Sequence, residues 1–160
     1  DLDRVIASLR RRGTKKIFVV GHSYGGKTVL CSERKDFDGV VLWDPSHRSS
    51  GLFHKSAEYV KSLDMYAEYK EVSFAFIIGK KMIDEARKSR VEERIRDIHA
   101  PIKIIGAGKG TLVKGCKWYY RNANKPKALT IIKKANHAFA EDGAEEKLFK
   151  ETLSWFKKIE

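Results

Sequence analysis

The feature that most constrains the fold is a run of four apolar residues, Ile17-Phe18-Val19-Val20, passing straight into Gly21-His22-Ser23-Tyr24-Gly25-Gly26. A short strand without polar alternation is expected to be buried on both faces, as in a parallel sheet covered by helices. Residues 27–35 then read as a helix, which makes the stretch a strand–turn–helix unit. Apolar strands recur at Val40-Val41-Leu42-Trp43 and at residues 101–105 and 128–132. Between them lie helical patterns. Leu2, Val5, Ile6 and Leu9 share one face before Gly13 stops the helix, residues 111–120 form another, and Leu148, Phe149, Thr152, Phe156 and Ile159 align along 144–159. The alternation predicts an α/β class, a mostly parallel sheet flanked by helices. Within the middle segment, about 51–99, helical stretches are expected around 56–69 and 82–98, with an apolar stretch at 74–78 between them.

The length, 160 residues, suits a single domain spanning 1–160, and 42% hydrophobic against 34% charged residues leaves enough apolar surface for a core. No apolar run approaches the roughly 18 to 20 residues of a membrane span. The charged opening Asp-Leu-Asp-Arg is unlike a signal peptide, so a cytoplasmic location is expected. Cys31 and Cys116 are too few for a disulfide framework and lack metal-ligand spacing. The net charge of +12 raises the question of an anionic partner. Yet the cations fall in scattered groups such as Arg10-Arg11-Arg12, Lys80-Lys81 and Lys157-Lys158, beside strands and helix ends. One stretch, Lys117-Trp118-Tyr119-Tyr120-Arg121, combines cations with aromatics that could stack bases. A helix with one buried aromatic face is the commoner reading, so nucleic acid is not the expected partner.

Two motifs overlap on one turn. Gly21-His22-Ser23-Tyr24-Gly25 matches G-x-S-x-G, which exposes a nucleophilic serine on a strained strand-to-helix turn. Residues 21–28 also read G-x-x-x-x-G-K-T, in which Lys27 would reach phosphates and Thr28 would hold magnesium. Asp44, after the apolar strand 40–43, would complete that nucleotide site. Against the phosphate reading, His22 and Tyr24 would crowd the cradle, and Asn136-His137-Ala138-Phe139 would have no task. The order Ser23, Asp44, His137 is instead that of an α/β-hydrolase triad. A second glycine-rich turn, Gly106-Ala107-Gly108-Lys109-Gly110-Thr111, fails as a phosphate loop because the opening glycine of the pattern would fall at Lys103, inside a strand.

Three segments, Gly-His-Ser-Tyr-Gly-Gly at 21–26, Leu42-Trp43-Asp44-Pro45 and Ala135-Asn136-His137-Ala138-Phe139, resemble the C-terminal part of an α/β-hydrolase of the small esterase and dienelactone-hydrolase type. The resemblance implies that residues 48–99 are a cap-like insertion and that the fold's usual N-terminal strands are absent from this chain. It also implies an acid after the penultimate strand, where this chain has Gly110 beside Lys109. Asp44 takes that role, because parallel sheets place their sites at the carboxyl ends of strands. Asp36 and Asp38 precede their strand, and Glu141 and Asp142 could reach the histidine only by a sharp fold-back.

The expected chemistry is cleavage of a carboxylic ester or lactone through an acyl-enzyme. Ser23 is the nucleophile, His137 the base and then acid, Asp44 its orienting partner, and the Tyr24 backbone N–H an oxyanion donor. Trp43 and Phe53 are candidate substrate walls, and no metal or organic cofactor is required. A four-stranded sheet would leave an apolar edge, to be covered by a second copy or by another, complementary chain. Two rivals remain open: a nucleotide-binding protein using residues 21–28, and a non-catalytic hydrolase-like module with a basic interaction surface.

Overall fold

The computed structural model describes residues 1–47, 58–70, 74–88 and 90–160. They form two compact units, residues 1–47 with 92–160, and residues 48–91. The second unit ends at Val91, and residues 92–99 belong to the first.

In the first unit, helix α1 (Leu2–Arg11) leads into strand β1 (Phe18–His22), helix α2 (Tyr24–Cys31) and strand β2 (Gly39–Trp43). Strand β6 (Ile102–Ala107), helix α4 (Val113–Asn122), strand β7 (Lys127–Ile132) and helix α5 (Ala144–Ile159) follow. The four strands form one parallel sheet in the order β1-β2-β6-β7. This is the α/β architecture that the alternating pattern predicts.

Side chains alternate across each strand, which sorts the core into two layers. Val41, Ile105, Ala107 and Ile132 face α5 and pack with Leu148 and Trp155. Lys103 shares that face and is 7% exposed; its amine donates to Glu151 Oε2 at 2.6 Å and to the Glu151 carbonyl at 3.0 Å. The central strands β2 and β6 are buried along nearly their whole length, as their apolar residues require, and Lys103 is the one charge among them.

Strand β1 departs from expectation. It is an edge strand, and Val20 stays 40% exposed, so the apolar run is not buried on both faces. A uniform apolar run reports the burial that β-branched residues favour, not which strand will lie at the edge.

The second unit is also corrected. Residues expected as helix around 56–69 form strand β3 (Glu58–Val60), a 3₁₀ turn at Lys61–Leu63 and strand β4 (Met65–Lys70). These pair antiparallel with each other and with β5 (Phe74–Gly79), the apolar stretch expected at 74–78. Asp64, in left-handed conformation, turns the chain between β3 and β4. The helix expected over 82–98 is two pieces, α3 (Lys80–Lys88) and a 3₁₀ segment Val91–Asp97.

Candidate active site

Three loops at the carboxyl ends of β1, β2 and β7 build the site. The β1 turn is very tight: the strand runs to His22, α2 begins at Tyr24, and Ser23 alone joins them. Ser23 has φ 54° and ψ −117°, a conformation that L residues adopt only when their surroundings force it. The surroundings do so. A Cβ at Gly21 would lie 2.7 Å from the Gly25 carbonyl oxygen, and one at Gly26 would lie 2.8 Å from Pro45 Cβ. Gly25 has open space beside it, so only two of the three glycines are needed for close approach.

At the end of β2, Asp44 also takes positive φ, 37°, with its amide donating to the Ile105 carbonyl. Its side chain is fully buried. Oδ1 accepts the Ala107 N–H at 3.1 Å and lies 3.6 Å from Cys116 Sγ.

His137 sits in the loop after β7. Its Nδ1 is 2.6 Å from Asp44 Oδ2, and its Nε2 is 2.9 Å from Ser23 Oγ. An ionised carboxylate only accepts, so Nδ1 carries the proton and Nε2 is left to accept from the Ser23 hydroxyl. Ser23, Asp44 and His137 are thus brought together in one hydrogen-bonded line. Asp36 and Asp38 are held instead by Arg10, at 3.2 and 2.9 Å.

The histidine loop is pinned from several sides. His22 Nε2 donates to the His137 carbonyl at 2.8 Å. The Glu141 carboxylate accepts the Asn136 N–H at 2.7 Å and pairs with Lys109 at 3.5 Å. That amide hydrogen bond holds the Glu141 carboxyl below its ordinary pKa. Phe139, 2% exposed and at φ 55°, anchors the loop. Of the five non-glycine residues at positive φ among the described residues, three are Ser23, Asp44 and Phe139. Sequence reasoning missed Glu141, Cys116 and the Ala107 amide as supports, because each works only through a tertiary approach.

Trp43 packs against α5, its indole N–H donating to Thr152 Oγ1 at 3.0 Å and its ring meeting Phe149 edge-on. Phe53, the other candidate wall, lies outside the described residues. His47 stands against Trp118 and Tyr119. No cluster of metal-ligating side chains occurs among the described residues.

The phosphate-loop reading needs a wide loop of open backbone, and residues 21–28 provide a single turn residue followed by helix. Lys27 is buried, 4% exposed, with its amine 5.9 Å from the centre of the Tyr24 ring. Burial lowers its pKa against the attraction of Glu92.

Neither a protein-family model nor a curated protein matches the sequence. Solved structures do. The chain is similar to the esterase domain of a Rhodothermus marinus protein, with TM-score 0.76 and 15% identity over 99% of this chain and 68% of that one. A monoacylglycerol lipase from Paleococcus ferrophilus gives TM-score 0.68 and 18% identity over 99% of this chain and 75% of that one. An acylaminoacyl peptidase from Pyrococcus horikoshii gives TM-score 0.61 and 16% identity over 96% of this chain and 26% of that one. The chain has the α/β-hydrolase fold and spans about two thirds of the length of the first of these structures.

Proposed function

We propose that the chain is a serine-dependent hydrolase of carboxylic esters. The observation that carries this reading is the unbroken line from Ser23 Oγ through His137 to Asp44, at 2.9 and 2.6 Å, on a serine held at positive φ.

In this mechanism Ser23 Oγ attacks the ester carbonyl carbon and its proton passes to His137 Nε2. Asp44 keeps the imidazole in the tautomer that can receive it and stabilises the resulting cation. The N–H of Tyr24, first residue of α2, is the proposed oxyanion donor, at a helix N-terminus where the dipole favours negative charge. His137 then returns the proton to the departing alkoxide. Water, deprotonated by the same nitrogen, attacks the acyl-enzyme. The bond from the acyl carbon to Ser23 Oγ then breaks, His137 gives its proton back to Oγ, and the acid is freed. The proposed substrate is a small ester or lactone, and no metal or organic cofactor enters any step. We also propose that a further polypeptide covers the β1 edge, a reading supported by Val20, 40% exposed on that edge strand.

Turnover of p-nitrophenyl esters tests the reaction. Wild type should hydrolyse them and Ser23→Ala should fall to the uncatalysed background. Equal turnover by Ser23→Ala would refute it. So would an inactive wild type whose melting temperature rises with ATP and magnesium, an outcome that returns residues 21–28 to phosphate binding.

A further inference from the structure

Asp44 has no solvent contact, so every hydrogen bond to its carboxylate comes from the protein. Oδ2 faces His137, while Oδ1 has the Ala107 amide and, at 3.6 Å, the Cys116 thiol, within reach for the longer S–H···O bond. A carboxylate tied through Oδ1 to one amide can still turn about its Cβ–Cγ bond. A second donor on that oxygen, approaching from another element, stops the rotation.

The fold delivers Cys116 to this place by a specific device. Ile105 and Ala107 face α5, so Gly106 between them faces the other side of the sheet, where α4 packs on β6. A Cβ at Gly106 would lie 3.0 Å from Cys116 Sγ and 2.7 Å from Ile131 Cδ1. The missing side chain lets α4 settle until its thiol reaches the acid. Cys116 is fully buried, and burial, with the neighbouring carboxylate adding to it, pushes the thiol pKa far up. The sulfur therefore keeps its proton and remains a donor, which also removes it as a competing nucleophile.

We propose that Cys116 is a positioning residue: its thiol donates to Asp44 Oδ1 and fixes the carboxylate so that Oδ2 meets His137 Nδ1. The inference rests on the hydrolase reading above. Cys116 acts through Asp44 and touches no substrate. It is also distinct from a core cysteine that only fills space, because a space-filler needs no proton.

Two substitutions separate these roles. Cys116→Ala removes the donor, and Cys116→Ser keeps one in nearly the same volume. Losing the donor leaves more negative charge on Oδ2, which favours the His137 imidazolium and moves the acid limb of the kcat/KM profile to higher pH. The other titratable groups facing this array are His22, its ring 5.0 Å from that of His137, and the Lys109–Glu141 pair, neither altered by the substitutions.

Cys116→Ala should lower kcat/KM about fivefold, the worth of one hydrogen bond from a weak thiol donor, and raise the acid limb. Cys116→Ser should rescue both. The low-field NMR resonance of the His137 Nδ1 proton should shift in Cys116→Ala and return in Cys116→Ser. Both variants are compared at a temperature where circular dichroism shows each fully folded. An unshifted resonance and unchanged limb in Cys116→Ala overturn the proposal, as does a Ser variant no better than Ala. If wild type turns over no ester at all, the hydrolase reading fails separately. The NMR resonance still decides whether the thiol orients Asp44.

Discussion

Asp44 combines a backbone at φ 37° with a fully buried carboxylate that meets His137 Nδ1. Asn also suits positive φ and preserves the turn, so Asp44→Asn should stay folded while His137 adopts the wrong tautomer. In the serine-protease precedent that error costs about 10⁴-fold in turnover. Lys27→Met, which keeps the buried volume, should leave ester turnover within about threefold, since a difference under 1 kcal/mol is all that a spectator contributes. Steady-state kinetics on p-nitrophenyl esters checks both. An Asp44→Asn enzyme keeping a tenth of its activity, or a dead Lys27→Met that is still folded, would contradict the assignment. These residues differ in how openly the sequence displays them. Ser23 was legible from the glycines that flank it after an apolar strand, although the same residues also matched a phosphate loop. Only the single-residue turn removes the wide backbone which that reading needs. Asp44 was legible as an Asp-Pro pair ending the next strand, although its burial and its contact with His137 depend on where β7 returns. Cys116 was not legible, because nothing in Gly-Cys-Lys-Trp marks a thiol that ends beneath a carboxylate on another element.

Among the strands and helices, the parallel sheet was readable and the second unit was not. Strand β2 is uniformly apolar and β6 is apolar but for Lys103, because both faces of these strands are covered. The alternation of such runs with helical patterns is what signals a parallel sheet. Residues 58–70 carry tyrosines and a valine interleaved with Lys, Ser, Asp and Glu, a spacing that fits a helix face as well as a hairpin. The left-handed Asp64 decides for the hairpin, and Leu-Asp-Met hardly advertises it. Lys103 shows how a central strand can hold a charge: α5 answers it with Glu151, whose carboxyl also accepts from Thr130 Oγ1 at 3.0 Å. The Lys103 hydrogen bond lowers the Glu151 pKa on folding. A depressed carboxyl pKa stabilises the fold above its unfolded value, and that stability is lost as pH falls through the folded value. Glu151→Gln should therefore cost about 2 kcal/mol at pH 7, because it leaves a buried ammonium facing a neutral amide. The gap from wild type should narrow below about pH 4. Urea melts at pH 7 and pH 3 measure it, and an equal gap at both values would contradict the ion pair's role.

For the molecule as a whole, the charge is large but dispersed. The net +12 is spread over many short groups, several already paired, as Arg10 is with Asp36 and Asp38 and Lys109 with Glu141. No helix among the described residues is long and apolar enough to cross a membrane. The sheet gathers Ser23, Asp44 and His137 at the carboxyl ends of three of its four strands, where a parallel sheet leaves its loops to be built upon. The proposed chemistry stands or falls on whether Ser23 is the reactive group. Incubation with a fluorophosphonate, followed by peptide mapping by mass spectrometry, tests this without assuming a substrate. A single adduct is expected on Ser23, absent from Ser23→Ala. An adduct on Ser46 or Ser49 instead, or a Ser23→Ala protein labelled as fully as wild type, would contradict it.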